Sequence, residues 1–254
     1  MTLLEAHALH HRFGRTAALD DVSLTLRRHE ILAIVGESGS GKTTLLNALS
    51  GRLTPQRGDI LYDDGGGPRA LASCGEVVLR KLQRARWGYI AQDPRSALRL
   101  DISAGGNIGE RLMASGARHY GDIRAIATHW LEAVEIDPAR LDDLPRYFSG
   151  GMLQRLQIAA TLVTAPELVF MDEPTGGLDV SVQARILDLI RSLVRRLGLA
   201  VVLVTHDIGV ARLLADRLIV MRHGRIVESG LTDQVLDDPH DEYTQLLVAS
   251  VLPA

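Results

Sequence analysis

The feature that most constrains the fold is the stretch 36–44, which reads GESGSGKTT. It follows an apolar run at 31–35, leads into an apolar helical pattern, and matches the phosphate-binding pattern G-x-x-x-x-G-K-[ST]. The glycines let successive backbone N–H groups curl around phosphate oxygens, and a helix N-terminus favours anions. The stretch therefore predicts a buried strand, a phosphate-binding turn and the start of a helix.

Within this loop, individual side chains have predicted roles. Lys42 is expected to reach the β- and γ-phosphates, and Thr43 to ligate Mg²⁺. The chain has 28 basic residues, of which only two are lysines. A compact ammonium suits a phosphate cradle better than a wide guanidinium. The predicted nucleotide-binding residues are Gly36, Glu37, Ser38, Gly39, Ser40, Gly41, Lys42, Thr43 and Thr44.

Length and charge limit the possible functions. A chain of 254 residues is compatible with one large α/β domain. Its net charge of −3 argues against nucleic acid as a partner, and the basic run at 80–86 is interpreted as a solvated helix face. The single cysteine, Cys74, cannot form an internal disulfide, which favours a reducing compartment. No secretory pattern and no apolar run of about 20 residues is found, so we expect a cytoplasmic chain without direct membrane insertion.

Alternating patterns predict an α/β fold with a mostly parallel sheet covered on both faces. Strands are expected at 3–9, 22–26, 31–35, 59–62, 87–91, 168–171, 200–205 and 218–221. Helices are expected at 182–197 and 208–215, and at 108–114 and around 123–134 within a helical block at 101–145. Residues 63–75 are predicted to form a surface loop, because glycines follow one another at 65–67.

Polar side chains follow two of the predicted strands, at the sheet edge where ligands bind in such folds. Asp172 fits a carboxylate that holds Mg²⁺ directly or through water. Glu173 is expected to orient and partly deprotonate the attacking water, and His206 to contact the γ-phosphate. Alone, an Asp-Glu pair is more often a solvated strand end and a histidine more often a packing residue. The phosphate loop upstream favours the functional interpretation.

Two further features leave alternatives open. Ser149, Gly150 and Gly151 begin a helical pattern, so they form either a simple N-cap or a second anion cradle. Since one chain cannot readily use two cradles on one γ-phosphate, the second is predicted to serve a neighbouring subunit's nucleotide. Phe13, beside a glycine, is compatible with stacking on adenine and equally with a core position.

The ordered motifs resemble the ATP-binding-cassette ATPases across nearly the whole chain. They are the loop at 36–44, Gln92, the FSGGMLQR segment at 148–155, DEPT at 172–175, GLD at 177–179 and His206. The resemblance implies a P-loop (RecA-like) core with a mostly parallel sheet, an antiparallel β subdomain and an inserted α-helical subdomain. It implies a single domain over 1–254, with the core and β subdomain at 1–92 and 146–254 and the helical subdomain at 93–145.

The resemblance also implies an ATPase that uses ATP and Mg²⁺. Glu173, His206 and Gln92 would be catalytic, and Thr43, Gln92 and Asp172 would hold the metal. Two subunits would pair head to tail around two ATP molecules. Each subunit would contact the partner's nucleotide through Ser149, Gly150, Gly151 and Asp179. Phe13 would stack on adenine.

Two positions depart from the pattern of this family. Met152 stands where the signature usually has Gln, and a modest change in rate is compatible with that substitution. Gly176 and Gly177 replace small but less flexible residues, which is expected to loosen communication between the two sites.

Finer resemblances concern the partner. Residues 239–247 resemble the C-terminal helix of peptide- and nickel-type importer ATPases, whereas residues 103–124 resemble the cassette subunits of bacterial carbon-phosphorus lyase systems. The first hypothesis is therefore an ATPase that docks on soluble lyase core subunits through 103–124 and the helical subdomain. The alternative is a dipeptide-type importer ATPase. A third, an ATP-gated clamp without turnover, is disfavoured because Glu173 and His206 are both present.

Overall fold

The computed structural model describes residues 1–250. The strands are β1 (Thr2–Phe13), β2 (Thr16–Arg27), β3 (Ile31–Val35), β4 (Arg57–Asp63), β5 (Pro68–Ala70), β6 (Trp87–Ile90), β7 (Leu168–Asp172), β8 (Ala200–Val204), β9 (Arg217–Arg222) and β10 (Arg225–Leu231). The helices are α1 (Lys42–Leu49), α2 (Glu76–Ala85), α3 (Pro94–Ala97), α4 (Ala104–Ala114), α5 (Tyr120–Ala133), α6 (Gly150–Leu162), α7 (Val180–Leu197), α8 (Ile208–Leu214), α9 (Thr232–Asp237) and α10 (Glu242–Ala249).

The chain forms two compact units. One comprises residues 1–80 together with the segment from Leu199 onward, and the other comprises residues 81–198. Among the described residues, 1–250, no helix combines the length and the apolar character needed to cross a membrane.

In the first unit, an antiparallel sheet has the strand order β2-β1-β4-β5. The predicted strands at 3–9 and 22–26 are confirmed, and each extends to 12 residues in β1 and β2. The prediction of a plain surface loop at 63–75 is wrong in part, because β5 pairs with β4. Asp63 Oδ1 accepts hydrogen bonds from the N–H groups of Gly65 and Gly67, and this turn folds the glycine-rich segment back as a hairpin.

The same unit holds four strands in the order β10-β9-β3-β8. β3 is parallel to both β8 and β9, as predicted, and all five of its residues are buried. β10 is antiparallel to β9 and was not predicted, since it is mostly partly exposed and lacks a continuous apolar run. In the parallel register Ile34 lies beside Val204, so the phosphate loop and His206 follow neighbouring strand ends.

The basic run begins within α2, and this helix buries none of its side chains. Arg80 forms an ion pair with Glu76 one turn earlier. The interpretation of this segment as a solvated helix face is confirmed.

In the second unit, β6 and β7 are parallel, with Tyr89 beside Phe170 and Ile90 beside Met171. The ring of Trp87 meets that of Phe170 edge to face, with centroids 5.6 Å apart. The α6 helix buries nine residues and packs on β6, and α3, α4 and α5 pack on α6. The carboxyl end of β7 carries Asp172, so this core positions the acidic pair.

The predicted start of a helix at 108 is wrong, because α4 begins at Ala104 and includes two glycines, Gly105 and Gly106, before residue 108. Ser103 caps it by accepting a hydrogen bond from the Gly106 N–H at 3.1 Å. The buried Asn107 side chain donates to the carbonyls of Arg99, Ile102 and Ser103. These bonds anchor the first turn and compensate for the poor helix propensity of the glycines.

Candidate functional site

The loop in the first unit requires glycine at two positions for steric reasons. Gly36 has φ 146° and Gly41 has φ 105°. A Cβ at Gly36 would lie 2.2 Å from the carbonyl oxygen of Met221, and one at Gly41 would lie 2.2 Å from that of Ala18. The loop therefore packs directly against the backbone of β2 and β9. This leaves no space for a side chain at Gly36 or Gly41.

Lys42 places a charge inside this loop. Its side chain is only 6% exposed, and Nζ donates to the carbonyl oxygens of Gly36 and Glu37 at 2.7 Å each. Lys42 is also the first residue of α1, so the ammonium lies at a helix N-terminus. A buried cation beside a helix N-terminus and a curled glycine loop is well suited to bind phosphate. Thr43, the predicted magnesium ligand, is exposed in the first turn of α1.

His206 follows the strand next to β3. The N–H of Thr205 donates to the carbonyl of Ile34 at 3.2 Å, which fixes this strand end beside the start of the loop. His206 is exposed, and the next residue, Asp207, caps α8. The structure thus brings His206 to the same edge as the loop, as the sequence predicted.

Phe13 lies at the end of β1 and is 57% exposed. Its ring meets that of His11 edge to face, with centroids 4.7 Å apart. This exposure rules out the alternative of a core aromatic. The face of an exposed ring is available for stacking on a base.

In the second unit, the structure brings together two of the predicted catalytic residues. Gln92 Nε2 donates to Glu173 Oε2 at 2.9 Å. Glu173 has φ 44°, a left-handed conformation that is uncommon outside glycine. Its carbonyl accepts the N–H of Gly176 at 2.9 Å, which closes a turn directly after β7. Such backbone strain costs about 1–3 kcal/mol and is concentrated at functional sites.

Gly176 lies against this pair of side chains. A Cβ at this position would be 3.2 Å from the Glu173 carbonyl oxygen and 3.5 Å from Gln92 Cγ. Gly177 has φ 74° and nothing within 4 Å of the Cβ position. The first glycine therefore leaves room for the Gln92–Glu173 pair, and the second permits a left-handed turn.

The segment at 149–152 starts α6. Ser149 Oγ accepts the N–H of Met152 at 3.3 Å, so the simple N-cap is present. Ser149 and Gly150 are nevertheless exposed, which leaves them accessible to a second molecule. Met152 accepts a hydrogen bond on Sδ from Arg140 at 3.3 Å. The thioether thus takes part in fixing this signature segment, although sulfur is a weak acceptor.

Asp179 is the N-cap of α7. It accepts hydrogen bonds from Ser181 Oγ at 2.8 Å and from the Val182 N–H at 3.0 Å. The Ser181 hydroxyl, followed by the Val182 amide, lowers the pKa of this exposed carboxyl. Asp179 therefore stays ionised near neutral pH.

One contact to the phosphate loop was missed by sequence reasoning. The hydroxyl oxygen of Tyr243, in α10, accepts the N–H of Glu37 at 3.0 Å. The two residues are 206 positions apart, so neither periodicity nor a local motif signals the contact.

Comparison with known proteins identifies the relatives of the chain. The family model described as ABC transporter matches residues 19–176. The chain is 64% identical over 250 residues, or 98% of both chains, to the putative phosphonates utilization ATP-binding protein PhnK of Escherichia coli K12. It is 40% identical to the peptidoglycan transport ATP-binding protein YejF of Agrobacterium fabrum, over 92% of this chain and 42% of that protein.

Solved structures are similar over most of the chain. The dimeric, post-hydrolysis ATP-binding cassette MJ0796 with ADP and Pi has a TM-score of 0.80 at 28% identity, covering 91% of this chain and 99% of that one. The cbiO1 subunit of the cbiONQ transporter from Clostridium perfringens has a TM-score of 0.82 at 28% identity, covering 93% and 91%. These matches confirm the predicted fold class, with its mixed sheet, antiparallel β subdomain and helical region.

Proposed function

Since the chain belongs to the ABC transporter family of ATP-hydrolysing cassettes, we propose that it couples ATP hydrolysis to phosphonate breakdown. The observation that carries this proposal is the 64% identity to the phosphonates utilization protein PhnK over 98% of both chains. The peptidoglycan transport protein YejF and the oligopeptide transport protein OppD are 40% and 36% identical to the chain. The identity thus favours the phosphonate role over peptide import.

The first unit would hold the nucleotide. Residues 36–44 would cradle its phosphates, with Lys42 exchanging its carbonyl partners for phosphate oxygens. His206 would contact the γ-phosphate, and the exposed Phe13 ring would stack on adenine. Two of these assignments agree with the local geometry. The buried ammonium of Lys42 suits a phosphate anion, and the exposed ring of Phe13 suits the adenine base.

Mg²⁺ is the cation that the donor set suits. Thr43, Gln92 and Asp172 offer hydroxyl, amide and carboxylate oxygens, which hard cations prefer. Residues 1–250 contain no group of three or more His, Cys, Asp or Glu able to hold a metal, so phosphate oxygens would complete the shell. When bound, the ion would neutralise charge on the β- and γ-phosphates.

Glu173 would act on the attacking water. The hydrogen bond from Gln92 and the left-handed backbone restrict the carboxylate to a narrow range of orientations. A general base works only at hydrogen-bonding distance from the proton it accepts, so this restriction favours hydrolysis. Gln92 would link the base to the metal ligands.

Cassettes of this family dimerise. We expect a head-to-tail pair in which Ser149, Gly150, Gly151 and Asp179 of one subunit face the ATP of the other. The exposure of Ser149 and Gly150 supports this arrangement.

The partner would be the soluble core of a carbon-phosphorus lyase in the cytoplasm. Docking would use the segment 103–124 and the rest of the helical subdomain at 93–145. Met113 and Tyr120 in this segment are exposed, at 48% and 73%. Large apolar side chains at the surface are typical of interaction sites when they cluster.

The decisive experiment is recovery of partners from cells grown on methylphosphonate as the only phosphorus source. Tagged chain should bring down soluble lyase subunits, and the Glu173→Gln variant should fail to support growth. Recovery of an integral permease alone would refute the lyase role and favour the alternative, a peptide-type importer. The resemblance of 239–247 to importer ATPases and the 36% identity to the oligopeptide transport protein OppD of Bacillus subtilis motivate that alternative.

A further inference from the structure

The phosphate loop is held from the C-terminal helix as well as from its own strand and helix. Tyr243 Oη accepts the Glu37 N–H at 3.0 Å. The carbonyl of the same Glu37 accepts from Lys42 Nζ at 2.7 Å and from the Ser40 N–H at 3.2 Å. Glu37 is therefore fixed on one side by α10 and on the other by the lysine expected to bind phosphate.

The surrounding residues hold the Tyr243 side chain in place. It is 5% exposed and belongs to a core cluster that includes Val35, the residue directly before the loop. The guanidinium of Arg222 lies 4.8 Å from the centroid of the Tyr243 ring, a cation–π distance. The ring is thus wedged between the sheet and an arginine, with its hydroxyl at the loop.

The start of α10 is fixed by two carboxylates. Asp241 Oδ1 accepts the Tyr243 N–H at 2.9 Å and caps the helix. Glu228, on β10, accepts the N–H groups of His240 and Asp241 at 2.9 and 3.1 Å. The position of the tyrosine hydroxyl is therefore determined by the sheet through β10.

We propose that Tyr243 is a positioning residue for the phosphate loop and that α10 thereby sets the affinity of the chain for ATP. Backbone N–H groups bind phosphate well only when the loop is already curled, because ordering a loop on binding reduces affinity. Loss of the hydroxyl releases the Glu37 N–H and leaves the loop less ordered before ATP arrives. The Tyr243 hydroxyl bonds to the Glu37 N–H and not to Glu173 or His206, so we expect the chemical step on bound ATP to be unaffected.

The test is Tyr243→Phe in the full chain, which keeps the ring and its packing and removes only the hydroxyl. The matched control is Leu246→Ala, an exposed position on the same helix. Affinity is measured with a fluorescent ATP analogue, KM and kcat by steady-state hydrolysis, and loop order by hydrogen exchange of residues 36–42. We expect affinity to fall and KM to rise by about two- to tenfold, the effect of one hydrogen bond. The loop amides should exchange faster, and kcat should stay unchanged.

Three results would overturn the proposal. They are wild-type affinity in Tyr243→Phe, an equal loss of affinity in Leu246→Ala, and a lower kcat with unchanged KM. Thermal melting of both variants separates a general loss of stability from a local one. If Tyr243→Phe melts early but its loop exchanges no faster than the rest of the core, the role of the hydroxyl is structural and the proposal fails.

Discussion

A comparison of Gly41→Ala with Gly39→Ala tests whether the phosphate loop packs directly against the backbone of β2. Both glycines have positive φ, 105° at Gly41 and 81° at Gly39. Only Gly41 is sterically confined: its Cβ would lie 2.2 Å from the Ala18 carbonyl oxygen, whereas a Cβ at Gly39 would meet nothing within 4 Å. The pair therefore separates backbone strain from steric contact.

The expected losses in the free energy of unfolding follow from backbone strain and from steric contact. A left-handed conformation costs an L-residue about 1–2 kcal/mol, which applies to both variants. Forcing apart a packed contact adds about 1–3 kcal/mol, which applies only at Gly41. Each alanine also reduces the entropy of the unfolded chain by a similar amount, and this cancels in the comparison. Before that common entropic gain is subtracted, Gly41→Ala should thus lower the free energy of unfolding by about 2–5 kcal/mol. Gly39→Ala should lower it by about 1–2 kcal/mol.

The assay is urea denaturation of both variants beside the wild type, followed by circular dichroism. The midpoint should shift more for Gly41→Ala, with the slope unchanged if only the native state is affected. Equal destabilisation by the two variants would refute the reasoning, because it would mean that the Ala18 carbonyl does not confine the loop.

Three further predictions concern charged side chains. Glu173→Gln should retain ATP and accumulate dimers while hydrolysis falls by about 10²–10⁴-fold, as seen by phosphate release and gel filtration; unchanged turnover would remove Glu173 from the mechanism. Lys42→Ala should weaken ATP binding itself in a fluorescence titration, since it deletes the buried ammonium, and wild-type affinity would contradict the phosphate role. Partial burial raises the pKa of Glu228, but the His240 amide and other donors outweigh it, so the pKa lies below its usual 4.5. The ionised Glu228 stabilises the folded state above pH 4.5. This stabilisation is lost as the pH falls through the lower pKa that Glu228 has in the folded state. The difference in melting temperature between wild type and Glu228→Gln should therefore shrink below pH 4.5, and a constant difference would exclude ionisation as its source.

Local sequence determined the parts of the fold around the candidate site that were predicted correctly. The phosphate loop follows from its glycine spacing, and β3 and β7 follow from their unbroken apolar runs. Because the carboxyl ends of parallel strands lie at one edge, His206 could be placed beside the loop from its position after β8 alone. These inferences required no knowledge of contacts between distant residues.

Contacts between distant residues account for what was missed. Tyr243 reaches Glu37 across 206 positions of sequence, and no pattern in either segment indicates the pairing. The hydrogen bond between Gln92 and Glu173 spans 81 positions, so each residue could be nominated but their direct contact could not. β10 is stabilised by pairing with β9 rather than by its own apolar pattern, so its residues alone do not indicate a strand.

The early start of α4 determines which positions in the segment 103–124 are suitable for substitutions that test docking. A Cβ at Gly105 would lie 2.6 Å from Leu141, one at Gly106 would lie 2.4 Å from Ile102, and one at Gly109 would lie 2.9 Å from Ile123. An alanine at any of these glycines must displace the neighbouring side chain, so it alters packing inside the helical region whatever the partner. Met113 and Tyr120 are exposed, and a side chain that makes few internal contacts can be removed at little cost in stability. Loss of lyase subunits from the pull-down thus bears on docking when Met113 or Tyr120 is replaced, whereas a change in packing also accounts for it when a glycine is replaced.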